Sequence, residues 1–167
     1  MGLLADGDRS AFPRVFEALW PPLRAFAQRA VGPDPRIAND ERPHVLVVDD
    51  DVNILALIER ALADYRVSTA RDGPEALAIL SARAPVHLML TDYLMPLMTG
   101  EELVRRARVA RPDLRVLVIT GHAHAVAIAD PDWWASERVL AKPFRMGALR
   151  RAVEELIGPP SEAPGGA

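Results

Sequence analysis

The sequence predicts an α/β fold: a five-stranded parallel sheet, doubly wound by helices, with a helical extension in front of it. Three observations carry the prediction. From residue 43 onward, short apolar runs alternate with amphipathic stretches of helical period, the order that builds a parallel sheet through right-handed crossovers. Each run is a nearly continuous block of apolar residues closed by turn residues, as expected of a buried strand. Four of the runs end in polar residues, namely Asp49-Asp50, Asp92, Thr120 and Lys142. In an open α/β sheet, ligands and chemistry gather at the carboxyl ends of the strands.

Residues 1–32 stand apart from this pattern. Phe12, Val15, Phe16 and Leu19 lie on one helical face, Pro21-Pro22 interrupts, and Leu23, Phe26, Ala27 and Ala30 begin a second stripe. The expected divisions are a helical extension at 1–32, a polar linker at 33–42, the α/β domain at 43–158 and a disordered Pro/Gly-rich tail at 159–167.

Within the domain, residues 45–48 form the first strand and run into Asp49-Asp50-Asp51. Asp51 reads as a helix N-cap, and Leu55, Ile58 and Leu62 mark the inner face of the helix it starts. A weak second strand spans 66–70. Asp72-Gly73-Pro74 then opens a second helix, with proline expected at its first position. The central strand ends at Asp92, and Pro96 and Gly100 fix the turn into a helix over about 101–109. Glu101-Glu102 reads as a solvated first-turn pair. A fourth strand at 116–119 ends in Thr120. Residues 122–128 read as a short helix stopped by Pro131, with His122 and His124 as surface residues and Trp133-Trp134 as packing residues. A fifth strand at 139–141 ends in Lys142-Pro143-Phe144, and Leu149, Val153 and Leu156 stripe the last helix.

Composition narrows the function. Half of the residues are hydrophobic, enough for a real core, and the net charge of −3 gives no basic footprint for nucleic acid. With no cysteine there is neither a disulfide nor a cysteine-rich zinc site. No apolar run reaches membrane-spanning length and no signal-peptide block opens the chain, so a cytoplasmic protein is expected.

The strand ends define a chemistry. Three carboxylates brought together repel unless a metal or a lysine is near. An oxygen-only ligand set suits Mg²⁺, which takes one or two carboxylates, a carbonyl and waters. A metal-bound carboxylate, a hydroxyl and an ammonium together make a site for a phosphoryl group, with the cations neutralising its oxygens and Thr120 donating a hydrogen bond.

The segments Val-Leu-Val-Val-Asp-Asp, Asp-Tyr-Leu-Met-Pro-Leu-Met-Thr-Gly, Val-Leu-Val-Ile-Thr-Gly and Lys-Pro-Phe resemble those of bacterial two-component response-regulator receiver domains, over residues 43–158. The resemblance implies a flavodoxin-like sheet of strand order 2-1-3-4-5. It implies Asp92 as the residue phosphorylated by a histidine kinase or phosphotransfer protein, and Thr120 and Lys142 as contacts of the phosphoryl group. It implies Mg²⁺ held by Asp49, Asp50, Asp92 and the backbone carbonyl of Leu94, and a cis Lys142-Pro143 bond. One departure concerns the position three before Lys142, where the family usually carries the Tyr or Phe that turns inward on phosphorylation. Here it is Val139, so the output face is expected to be atypical, as it is by Pro131 in the preceding segment.

A second resemblance, over about residues 5–33, is to the opening helices of extracytoplasmic-function sigma factors, carried by Gly-Asp-Arg-Ser-Ala-Phe and Leu-Trp-Pro-Pro-Leu-Arg-Ala-Phe-Ala-Gln-Arg. The promoter-reading segments of that family are missing. The expectation is therefore a phosphorylation switch, not an enzyme beyond its own phosphorylation and dephosphorylation. Its output runs through protein partners: an unidentified output protein, sigma-related if the second resemblance holds, or a second copy in a homodimer. Neither direct DNA binding nor a membrane partner is expected. The alternative is a haloacid-dehalogenase-like phosphatase with Asp49 as nucleophile, which leaves the Asp92 motif unexplained.

Overall fold

The computed structural model describes residues 42–81, 85–121 and 131–160. The expected extension at 1–32, nearly all of the linker, the short helix within 122–128, His122 and His124, and the tail from 161 lie outside them. In chain order the elements are β1 (His44–Val48), α1 (Val52–Ala61), β2 (Arg66–Ala70), α2 (Gly73–Leu80), β3 (Leu88–Asp92), α3 (Gly100–Ala110), β4 (Arg115–Thr120), α4 (Pro131–Ser136), β5 (Arg138–Ala141) and α5 (Met146–Ile157). The strands form one parallel sheet in the order β2-β1-β3-β4-β5, as the family resemblance implied.

The pleat sorts each apolar run between two cores. Leu46, Val48, Met89, Val116 and Val118 face α2 and α3, where Leu77, Leu80, Leu103 and Val104 meet them. Val45, Val47, Leu88, Leu90, Leu117 and Ile119 face α1 and α5, against Leu55, Ile58, Leu149 and Val153. A strand covered on both faces has no polar alternate positions to offer, which is why these runs are continuous.

The helices start where side chains satisfy their first amide groups. Asp51 accepts from the Asn53 amide at 2.8 Å. Asp72 accepts from the Glu75 amide at 2.8 Å while the Glu75 carboxylate accepts from the Arg71 amide at 2.8 Å, a reciprocal cap. Thr99 accepts from the Glu102 amide at 3.2 Å. Each cap contributes about 1 kcal/mol.

Two local expectations are corrected, and one helix start was not anticipated. Gly73, not Pro74, is the first residue of α2. Pro131 opens α4, a role that suits a residue with no amide hydrogen to satisfy. Glu101 and Glu102 are half-buried and reach the guanidinium groups of Arg105 and Arg106 one turn on, instead of standing free in solvent.

Candidate functional site

The carboxyl edge of the sheet is held together beyond the strands themselves. Asp49 donates its amide to the Ala70 carbonyl (3.2 Å), Tyr93 to Ile119 (3.1 Å) and Lys142 to Thr120 (2.8 Å). These bonds extend the ladders by one residue, so the ends of β1, β3, β4 and β5 stay adjacent and their polar residues converge.

Asp49 and Asp92 are set up alike. In Asp49, Oδ1 accepts from the Asp51 amide at 2.9 Å and Oδ2 from Lys142 Nζ at 3.0 Å. In Asp92, Oδ1 accepts from the Tyr93 amide at 2.8 Å, and Lys142 Nζ lies 3.1 Å from Oδ2. One ammonium thus bridges the two carboxylates. Asp50 completes the group: one oxygen from each of Asp49, Asp50 and Asp92 lies within 4.8 Å of the others. Thr120 is buried at the end of β4, paired with Ala141 beside Lys142, and Leu94 stands exposed two residues past Asp92.

Access separates the acids. The Asp92 side chain is 14% exposed and that of Asp49 only 3%. Asp50 is exposed but makes no ion pair with Lys142 among the described contacts.

The electrostatics leave room for a further cation. Burial pushes the Asp49 carboxyl above its ordinary range, against the opposing pull of the Asp51 amide and of Lys142. Burial alone would lower Lys142, but its hydrogen bond to Asp49 and the charges of Asp49 and Asp92 outweigh it and hold the ammonium form. One lysine therefore does not offset three carboxylates. The all-oxygen donor set fits a hard cation such as Mg²⁺ and lacks the imidazole or thiolate that zinc prefers.

The loop after Asp92 is tightly fixed. The Gly100 amide donates to the Tyr93 carbonyl at 2.8 Å, and a Cβ on Gly100 would overlap the Asp92 carbonyl oxygen. Glycine is required there for close approach of α3 to the strand end, not for an unusual turn. Between them, Leu97 takes a left-handed φ of 70°, and the Met98 amide closes back on the Pro96 carbonyl at 2.8 Å. This is a three-residue turn that a leucine enters at a steric cost. The Lys142-Pro143 bond is cis.

The side chains expected at the strand ends, Asp49, Asp50, Asp92 and Lys142, do meet at one edge. Sequence reasoning missed the backbone amides of Asp51 and Tyr93, which aim the carboxylates, because a backbone donor leaves no mark on residue identity. Trp133 is buried, and its ring lies 5.7 Å from that of Tyr93. Half-buried Val139 packs against the same core.

Comparison with known proteins agrees with this geometry. The family model described as the response regulator receiver domain matches residues 45–154. The response regulator receiver protein CpdR of Brucella abortus is 36% identical over 115 residues, covering 68% of this chain and 95% of that protein. The chemotaxis protein CheY4 of Vibrio cholerae superposes with a TM-score of 0.62 at 30% identity, covering 68% of this chain and 98% of that one. The response regulator TrrA of Thermotoga maritima, solved in complex with Mg²⁺ and BeF, superposes with a TM-score of 0.59 at 30% identity, covering 68% and 98%. None of these supports the phosphatase alternative, and the burial of Asp49 opposes it. A parallel sheet of this order, an acid cluster bridged by a lysine at its carboxyl edge and a match along nearly the whole domain leave one assignment: the chain belongs to the response-regulator receiver family, the phosphoacceptor switches of two-component signalling.

Proposed function

We propose that Asp92 is the phosphoacceptor, with Asp49, Asp50, Asp92 and the Leu94 carbonyl as the Mg²⁺ site and Thr120 and Lys142 as contacts of the phosphoryl group. One observation carries this reading: of the two carboxylates that Lys142 bridges, only Asp92 is open to a donor from solvent. An oxygen of Asp92 attacks phosphorus, the bond from phosphorus to the donor's leaving atom breaks, and the leaving group departs on the far side. Lys142 spreads positive charge over the transferring oxygens, and Thr120 offers a hydroxyl at the neighbouring strand end. When bound, Mg²⁺ supplies further neutralisation of the same oxygens. The Tyr93 amide keeps the Asp92 carboxylate aimed while Lys142 changes partners.

The donor by this reading is a histidine kinase or phosphotransfer protein in the cytoplasm. That compartment accords with the observation that, among the described residues, no helix is long and apolar enough to cross a membrane. Acetyl phosphate with Mg²⁺ should add one phosphoryl group to the wild type and none to Asp92→Asn. An Asp92→Asn protein that labels at the wild-type rate would overturn the assignment.

The residues before the domain serve, in the same proposal, as an interaction element: two apolar stripes at 1–32 with no acid cluster or nucleophile of their own, followed by a polar linker. Their partner is a sigma-related protein or a second copy of the chain. A protein starting at Glu41 should accept phosphate normally and change its mass in solution or lose a partner. If both its mass and its partners are unchanged, this part of the proposal fails.

A further inference from the structure

We propose that Gly73 is a positioning residue for the acceptor loop: its missing side chain is the seat of Met98, and through Met98 it sets where Asp92 and the Leu94 carbonyl stand relative to Asp49 and Asp50. The inference rests on the reading of the metal and phosphoryl site given above.

The reason for glycine at this place is steric. Gly73 is buried as the first residue of α2 and carries no left-handed φ, so an alanine would suit its backbone. A Cβ added there would instead lie 2.6 Å from Met98 Sδ, 3.0 Å from its Cβ and 3.1 Å from its Cγ. A clash with the sulfur alone could be relieved by rotating the end of the chain. A clash that also reaches Cβ presses on the root of the side chain, and so on the backbone.

That backbone has little room to yield. Met98 is 3% exposed, and its amide closes the strained turn at Leu97. The next residue, Thr99, caps α3. Gly100 in turn is pressed against the Asp92 carbonyl. The loop from 93 to 99 is thus clamped at its far end by Gly100 and at its side by the Gly73–Met98 contact. It begins at the acceptor and contains Leu94, so a shift forced at Met98 is transmitted to the site. A displacement on the order of 1 Å is enough to cost tenfold or more in a reaction that depends on alignment.

The test uses the full chain as wild type, Gly73→Ala, Met98→Ala and the double variant. Three quantities are read: melting temperature, Mg²⁺ affinity from tryptophan emission, and the rate of labelling by acetyl phosphate at saturating Mg²⁺. Gly73→Ala should weaken Mg²⁺ binding and slow labelling by about tenfold at temperatures well below its melting point. Met98→Ala should weaken both by less than Gly73→Ala does, since it frees the side of the loop without forcing it. The double variant should stay within about threefold of Met98→Ala, because the contacts with Sδ and Cγ are gone and only the 3.0 Å contact with Cβ is left. If Gly73→Ala does not fold, the comparison of the double variant with Met98→Ala carries the test alone. Affinity and rate near those of Met98→Ala support the proposal, and a folded double variant that binds tenfold more weakly than Met98→Ala overturns it. A purely structural role predicts that only the melting temperature moves while the folded protein binds and labels normally, and that result also overturns it. A wild type that neither binds Mg²⁺ nor labels would instead defeat the reading of the site itself.

Discussion

Both edges of the sheet bury polar groups at strand ends, and they do so in opposite ways. At the amino edge, His44 is 3% exposed and fully partnered within the chain. Its Nδ1 donates to the Pro85 carbonyl (3.1 Å), its Nε2 accepts from the Ser68 hydroxyl (2.8 Å), and its amide donates to His87 Nδ1 (2.9 Å). Burial, with the nearby Arg66 charge, lowers its pKa to about 4, so the ring is neutral. At the carboxyl edge, three acids cluster around one lysine that bridges only two of them, and the loop above them holds a leucine at positive φ. A satisfied neutral network stabilises a fold, whereas surplus charge and backbone strain at a strand edge are retained where a ligand is to complete them.

The largest test of this contrast is to remove the cation. Lys142→Ala should destabilise the metal-free protein by about 2 kcal/mol, since Asp49 is left buried beside a second carboxylate. Millimolar Mg²⁺ should recover part of that loss by binding only the folded state. The comparison is urea unfolding with and without Mg²⁺. Equal stability of Lys142→Ala and wild type in the absence of metal would mean that the acids are not in conflict.

The edges also respond to pH with opposite signs. The folded pKa of His44 lies below its unfolded value of 6.5, so its contribution is present above pH 6.5 and is lost as the pH falls toward 4. The stability advantage of wild type over His44→Gln should shrink through that window by about 3 kcal/mol. Asp49 is shifted the other way: its folded pKa is raised, so its ionisation costs stability as the pH rises through that value. Relative to Asp49→Asn, the metal-free wild type should therefore weaken with rising pH. Parallel trends at the two edges would erase the distinction.

The smallest effect concerns where the signal goes. With Val139 in place of an aromatic switch, the Tyr93–Trp133 contact is the aromatic link between the acceptor strand and α4. In a Trp20→Phe, Trp134→Phe background, beryllofluoride with Mg²⁺ should change Trp133 emission and leave amide exchange at His44 untouched. Tyr93→Leu should remove most of the emission change, and Val139→Ala should keep it. A rearrangement centred on Val139 that vanishes in Val139→Ala would contradict this route.

The contrast also explains what could be read from residue order alone. The three central strands were legible because burial on both faces demands unbroken apolar runs, as in Leu88 to Leu90, while the edge strands β2 and β5 leave a weaker pattern, and the strand ends were legible because Asp49, Asp92, Thr120 and Lys142 interrupt the runs. The caps Asp51 and Thr99 follow from residue type and place, although only Asp51 was picked out. What could not be read is set by distance across the fold. Gly73 looks like an ordinary turn glycine until Met98, from a loop two elements later, is seen against it. The amino-edge network joins His44, Ser68, Pro85 and His87 from three separate stretches, and no local spacing announces it. The helix that Pro131 opens was not expected, because a proline that ends one helix and one that opens the next look the same in sequence.

The most direct measurement of the central claim is to label the wild type with acetyl phosphate and Mg²⁺ and map the modified carboxylate by peptide mass spectrometry. The difference in access between the two lysine-bridged acids predicts a single phosphoryl group on Asp92. A phosphoryl group on Asp49 or Asp50, with Asp92 unmodified, would contradict it.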